Sequence, residues 1–274
     1  SKLRYTVTTE RKIRDRLSFS ALGLNGEIKI ALGDIHVNQR IGIFKKSFGK
    51  FFQFIGKNCL FPRVCPALKP DHRPQLSLLS SLRSLPGVKH VFVASGIRPD
   101  LVAADRACGD RYIDTIAKHH VSGQLKLAPE HVVTHVLECM GKSDVKDLLS
   151  FKRKFDASSR RLGKRQFLTY YFIAAHPGCT ESDMRELKRF AERELNLRPE
   201  QVQIFTPTPL TASTCMYYTG LDPRTMKEVY VPKNPHEKEL QRALLQWKRP
   251  EKRRLVMEAL HKAGREDLIG YGPD

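Results

Sequence analysis

No three of the six cysteines (Cys59, Cys65, Cys108, Cys139, Cys179 and Cys215) have the spacing C-x3-C-x2-C. The chain therefore carries no local thiolate triplet of the kind that seats an iron–sulfur cluster. No apolar run approaches the ~18 residues needed to cross a bilayer. Ser1–Glu10 has neither an apolar core nor a small-residue cleavage site, so nothing reads as a secretory signal. Scattered cysteines without such a signal read as reduced thiols, not a disulfide framework, and imply a cytoplasmic location. No RRM, KH or zinc-finger signature accompanies the basic residues.

What is present is a globular composition with a large positive charge. Of 274 residues, 41% are hydrophobic and 16 are proline, which suits one large α/β domain or two small ones. The formal net charge is +19. Such a surface attracts nucleic acid, nucleotides, phosphates or an anionic membrane, or is simply a solvated basic exterior.

The texture changes twice along the chain. Residues 1–57 form an unassigned basic, Phe-rich segment: Phe44, Phe48, Phe51 and Phe52 fit one helical face among Lys45, Lys46 and Lys50. From 58 to 225, β-type runs alternate with helical stretches. The runs are Val88–Ala94, Ser122–Leu127, Phe167–Ala174 and Val202–Phe205. The helix candidates are Pro99–Lys118, Val132–Met140 with Val145–Arg161, and Glu181–Leu195, the last with Thr180 as N-cap and Asp183 at its third position. This alternation predicts βαβ units and a parallel sheet. Residues 226–274 predict a basic helical extension, with helices His236–Trp247 and Glu251–Lys262 broken at Pro250.

Each predicted strand ends in a polar turn. These turns are Ser95-Gly96-Ile97-Arg98, Ala128-Pro129-Glu130-His131, Ala175-His176-Pro177-Gly178 and Thr206-Pro207. Parallel α/β folds bind ligands at the carboxyl ends of their strands, so the four turns in series predict one mouth. Cys59 and Cys65 in CLFPRVC, with His72 nearby, suggest either half of a metal site or buried thiols. His119-His120 and Arg160–Arg165 fall at predicted helix ends, where exposure or the C-terminal dipole explains them.

The blocks KNCLFPRVCPALKPDHRPQ, VFVASGIRPDLV, HHVSGQLKLAPEH, QFLTYYFIAAHPGCTESDM and QVQIFTPTPLTASTCMYYTG resemble successive signatures of the YgiQ-type radical SAM family. The resemblance implies an incomplete TIM-like partial barrel with a short helical C-terminal extension. It also implies a parent chemistry: reductive cleavage of S-adenosylmethionine at a 4Fe-4S cluster, giving a 5′-deoxyadenosyl radical that acts on an undefined substrate. It places Ser95, Arg98, Glu130, His131, His176, Pro177, Gly178, Thr206 and Pro207 around S-adenosylmethionine, with Glu130 near the ribose. The cluster cysteines and the first two strands are not recognisable, so the chain alone is expected to be inactive. Three readings stay open: a fragment or frame-damaged product, one half of a split enzyme whose cysteine loop lies on another polypeptide, and a repurposed basic module that binds nucleic acid or another anionic partner.

Overall fold

The computed structural model describes residues 27–31 and 59–270. The predicted helical face of Phe44, Phe48, Phe51 and Phe52 lies outside the described residues. In chain order the elements are β1 (Glu27–Ala31), α1 (Arg73–Arg83), β2 (His90–Ser95), α2 (Pro99–Ala104), α3 (Gly109–His119), β3 (Gln124–Glu130) and α4 (Thr134–Met140). There follow α5 (Lys146–Arg161), β4 (Phe167–Ala174), α6 (Glu181–Arg193), β5 (Val202–Ile204), α7 (Ala212–Thr219), α8 (Pro235–Leu245) and α9 (Arg253–Lys262).

The strands are parallel and fall into two small sheets, β1-β2 and β3-β4-β5. The junction between them is held by His120, not by a strand ladder. Its carbonyl accepts from Val93 N at 2.8 Å, and its Nδ1 donates to Val91 O at 2.8 Å. The molecule is thus mixed α/β with consecutive parallel strands. The single continuous partial barrel expected from the sequence would need a ladder where His120 intervenes. β1 is a strand inside the segment left unassigned by sequence; it pairs with β2 from Glu27↔His90 onward.

Alternation explains the strands. In β4, Leu168, Tyr170, Phe172 and Ala174 are buried, and the residues between them are half-buried beyond exposed Phe167. Both faces are covered, as a parallel sheet requires. Helical spacing explains their partners: α3 buries Tyr112, Ile113, Ile116 and Ala117, and α6 buries Met184, Leu187 and Ala191. Thr180 caps α6 as expected. Its hydroxyl accepts from Asp183 N, and the Asp183 carboxylate accepts from Thr180 N at 2.8 Å. α8 is continuous with this core through buried Leu240, Leu244 and Leu245.

The predicted helix from Pro99 to Lys118 is two helices. Asp105 breaks it: its carboxylate accepts from His72 N at 2.8 Å, from the His72 ring at 2.8 Å and from Cys108 N at 2.9 Å. The contact with His72 spans 33 residues and has no local sequence signal.

Candidate functional site

Backbone geometry marks the carboxyl ends of β3 and β4. Glu130 has φ +66° and Ala175 has φ +59°. Non-glycine residues in this left-handed region are uncommon and cost on the order of 1–3 kcal/mol each, a strain that clusters at functional sites. The β3–β4 register also slips between Leu127 and Glu130. A bulge of this kind re-aims the side chain that follows it.

Glu130 is re-aimed toward Lys142, whose Nζ lies 2.8 Å from Oε1 and also donates to Ala128 O at 2.9 Å. Arg98 forms a fork with Asp100: Nη2 donates to Oδ2 at 2.5 Å and Nε to Oδ1 at 3.1 Å. Between the ends of β2 and β3 lies a cavity of about 200 Å³, lined by Gly96, Arg98, Asp100, His131, Lys142 and Asp147 among others. Lys142 and Asp100 were missed by the sequence reading. Lys142 follows Gly141 at the end of α4, away from any strand end, and no local pattern announces it.

His131 is fully buried, and burial pushes its pKa down to about 3. Its Nδ1 accepts from Val133 N at 3.1 Å, which leaves the proton on Nε2, 3.6 Å from Cys179 Sγ. Burial pushes the Cys179 thiol up, away from thiolate. This pair is neutral and inward-facing.

His176 belongs to a second group. Burial first lowers its pKa to about 4, opposed by the Pro177 carbonyl and the charge of Glu130. Nδ1 donates to Pro177 O at 2.7 Å, so Nε2 accepts from Ser213 Oγ at 2.8 Å. The ring meets Phe205 edge-on at 4.9 Å. Gly178, at φ +87°, is a packing residue: a Cβ there would stand 2.7 Å from Cys139 Sγ. Ala175 N donates to the Gln241 Oε1 at 2.9 Å, and Gln241 Nε2 donates to Cys179 O at 3.0 Å, so α8 clamps the turn that carries His176. Ser95 is half-buried and pairs with Ala31 across β1-β2. Thr206 is exposed, and Pro207 is half-buried beside it.

Apart from Ser95, which stays in the β1-β2 ladder, the predicted residues therefore fall into two groups. Arg98 and His131 line the cavity beside Glu130 and Lys142. His176, Pro177 and Gly178 form the adjoining turn, with Thr206 and Pro207 beyond β5. Cys59 is exposed and Cys65 half-buried, in place of the buried thiols that were one expectation. Among the described residues no group of three or more His, Cys, Asp or Glu could hold a metal ion. Nor is any helix among them long and apolar enough to cross a membrane.

With consecutive parallel strands and a cavity at their carboxyl ends, the molecule is of the mixed α/β class. Comparison with known proteins supplies the family. The chain is 51% identical over 217 residues to a UPF0313 protein of Clostridium perfringens, covering 79% of this chain and 32% of that one. It is 48% identical over 229 residues to a UPF0313 protein of Methanosarcina acetivorans, covering 84% and 30%. The Fusobacterium nucleatum UPF0313 protein is 48% identical over 193 residues, covering 70% and 34%. The model for a domain of unknown function, DUF3362, matches residues 200–274. The chain belongs to the UPF0313 proteins, the YgiQ family, and spans about a third of the length of the curated relatives it matches.

Proposed function

We propose that this chain is the substrate- and nucleoside-facing portion of a radical SAM enzyme, with Glu130 as its ribose-binding carboxylate. The observation that carries the reading is Glu130 itself: a strained residue after a bulge, half-buried, paired with Lys142 beside a cavity at the strand ends. A carboxylate there suits the paired hydroxyls of a ribose, since it only accepts and they donate. When bound, S-adenosylmethionine would supply the carbon–sulfur bond whose cleavage begins the chemistry; this chain's residues would bind and orient it.

The described residues do not fit the 4Fe-4S cluster. The cysteine spacing is absent, and no ligand group is assembled among the described residues. In this reading the three thiolates come from the remaining length of the family protein or from a separate polypeptide.

Two measurements test the proposal. Calorimetric titration with S-adenosylhomocysteine is expected to show saturable binding to this chain, weakened about ten-fold or more in Glu130→Gln by loss of charge-assisted hydrogen bonds. The longer Clostridium perfringens relative, reconstituted anaerobically with iron and sulfide, is expected to release 5′-deoxyadenosine on reduction. Failure of both overturns the proposal. Release by the relative without binding here removes the assignment of Glu130 alone.

A further inference from the structure

The amino ends of β2 and β3, opposite the strand ends just described, open a cleft of about 730 Å³. Its walls carry Arg83, Lys89, Lys118, Lys164 and Arg165, together with His90 and His119, and none of the described lining residues is an aspartate or glutamate. The five cations come from separate places: the end of α1, the approach to β2, the last turn of α3 and the loop between α5 and β4.

An ordinary basic surface neutralises itself, and the neighbouring one does. Lys154 pairs with Asp110 at 2.5 Å and Arg161 with Asp114 at 2.7 Å. None of the five cleft cations forms an ion pair among the described residues. Helix carboxyl ends account for three of them in part: Arg83 lies in the last turn of α1 and Lys118 in that of α3, where Lys164 Nζ donates to Ala117 O at 3.3 Å and Lys118 O at 2.5 Å. Their crowding is felt by His119, whose pKa is pushed down by burial first and then by Arg83, Lys118, His120 and Lys164. Like charge held together from four segments without a carboxylate partner among the described residues costs stability, and an anion relieves it.

The cleft also holds a flat apolar surface. On β2, Val91 and Val93 point inward, which leaves His90 and Phe92 on the other face. Their rings stack with centroids 5.4 Å apart and planes 11° from parallel. Cations along the walls with an aromatic pair between them match how single strands are held: phosphates on the cations, bases on the rings. An acidic peptide would use the cations and leave the rings idle.

We infer that this cleft is a binding site for single-stranded nucleic acid. The inference does not rest on the S-adenosylmethionine reading, since the two sites lie at opposite strand ends.

The test uses the full 274-residue chain and a fluorescein-labelled oligouridylate of twelve nucleotides, followed by anisotropy. Binding is expected to weaken with salt at a log–log slope of about 3.5, from roughly 0.7 per phosphate engaged by the five cations. R83E/K89E/R165E, three exposed positions, is expected to bind at least ten-fold more weakly. R153E/R189E/R254E, with the same charge change outside the cleft, is expected to lose less than three-fold. The neutral set R83Q/K89Q/R165Q, expected to lose about five-fold, keeps the test standing should charge reversal disturb folding. His90→Ala is expected to weaken binding about five-fold with the salt slope unchanged, because stacking is not ionic. Equal losses in the two charge-reversed triples overturn the site. Competition by polyglutamate as strong as by the oligonucleotide, or full binding by His90→Ala, overturns the nucleic-acid assignment in favour of a generic anion site.

Discussion

His131 and His176 are neutral because the folded chain removes them from water, and this sets a pH dependence. Folded, they take up a proton only near about 3 and about 4, against 6.5 for an unperturbed ring. Between those values the unfolded chain binds more protons, so stability rises with pH in this window and is lost as pH falls through it. The urea midpoint is expected to drop steadily from about pH 7 to about pH 4.5, His176 alone contributing on the order of 2–3 kcal/mol. His176→Gln, which keeps a polar group near Ser213, should flatten that slope. A slope the same in the variant and the wild type would show that His176 titrates alike in the folded and unfolded chains.

At the scale of elements, the turn after β4 is held from a distance. α6 begins there on its capping box, and α8 reaches back to it through Gln241, which is fully buried. Its amide bonds both Ala175 N and Cys179 O across more than sixty residues. Gln241→Leu keeps the approximate volume and strands both backbone groups, each at about 1–3 kcal/mol. We expect a loss of about 2–5 kcal/mol by urea unfolding. Weaker S-adenosylhomocysteine binding should accompany it if the His176 turn contributes to that site. Unchanged stability would mean that water replaces the amide.

For the whole molecule, the question is whether the carboxyl-terminal helices are an attachment or part of the core. α8 packs on α6 and β5, and its Leu240, Leu244 and Leu245 are all at most 3% exposed within the main cluster. Burying side chains of this size contributes about 1.5–3 kcal/mol apiece, comparable in sum with the whole stability of a domain. A chain cut before Pro235 is therefore expected to lose cooperative unfolding and native far-UV circular dichroism. A truncated chain with a sharp urea transition would show the extension to be dispensable.

Much of this protein was legible in local pattern. Strands β2 to β5 fall within about three residues of the runs that predicted them, β4 on the same residues, because alternation and β-branched or aromatic content act over short range. The start of α6 followed from Thr180 and Asp183, three positions apart. The strand-end turns were visible as glycine, proline and polar clusters. Contacts between distant residues were not visible. His72 on Asp105 splits a helix across 33 positions. Lys142 turns to Glu130, Gln241 clamps Ala175, and His120 stands where a strand ladder would otherwise join two sheets. The basic cleft is likewise assembled from four segments that carry no common motif. The sequence by itself determined strands β2 to β5, the longer helices that follow them, their order and the positive charge, since propensity and periodicity are properties of neighbours. Only the tertiary structure decided which charges meet and which stay uncompensated, because Coulomb and hydrogen-bond energies depend on distance through space.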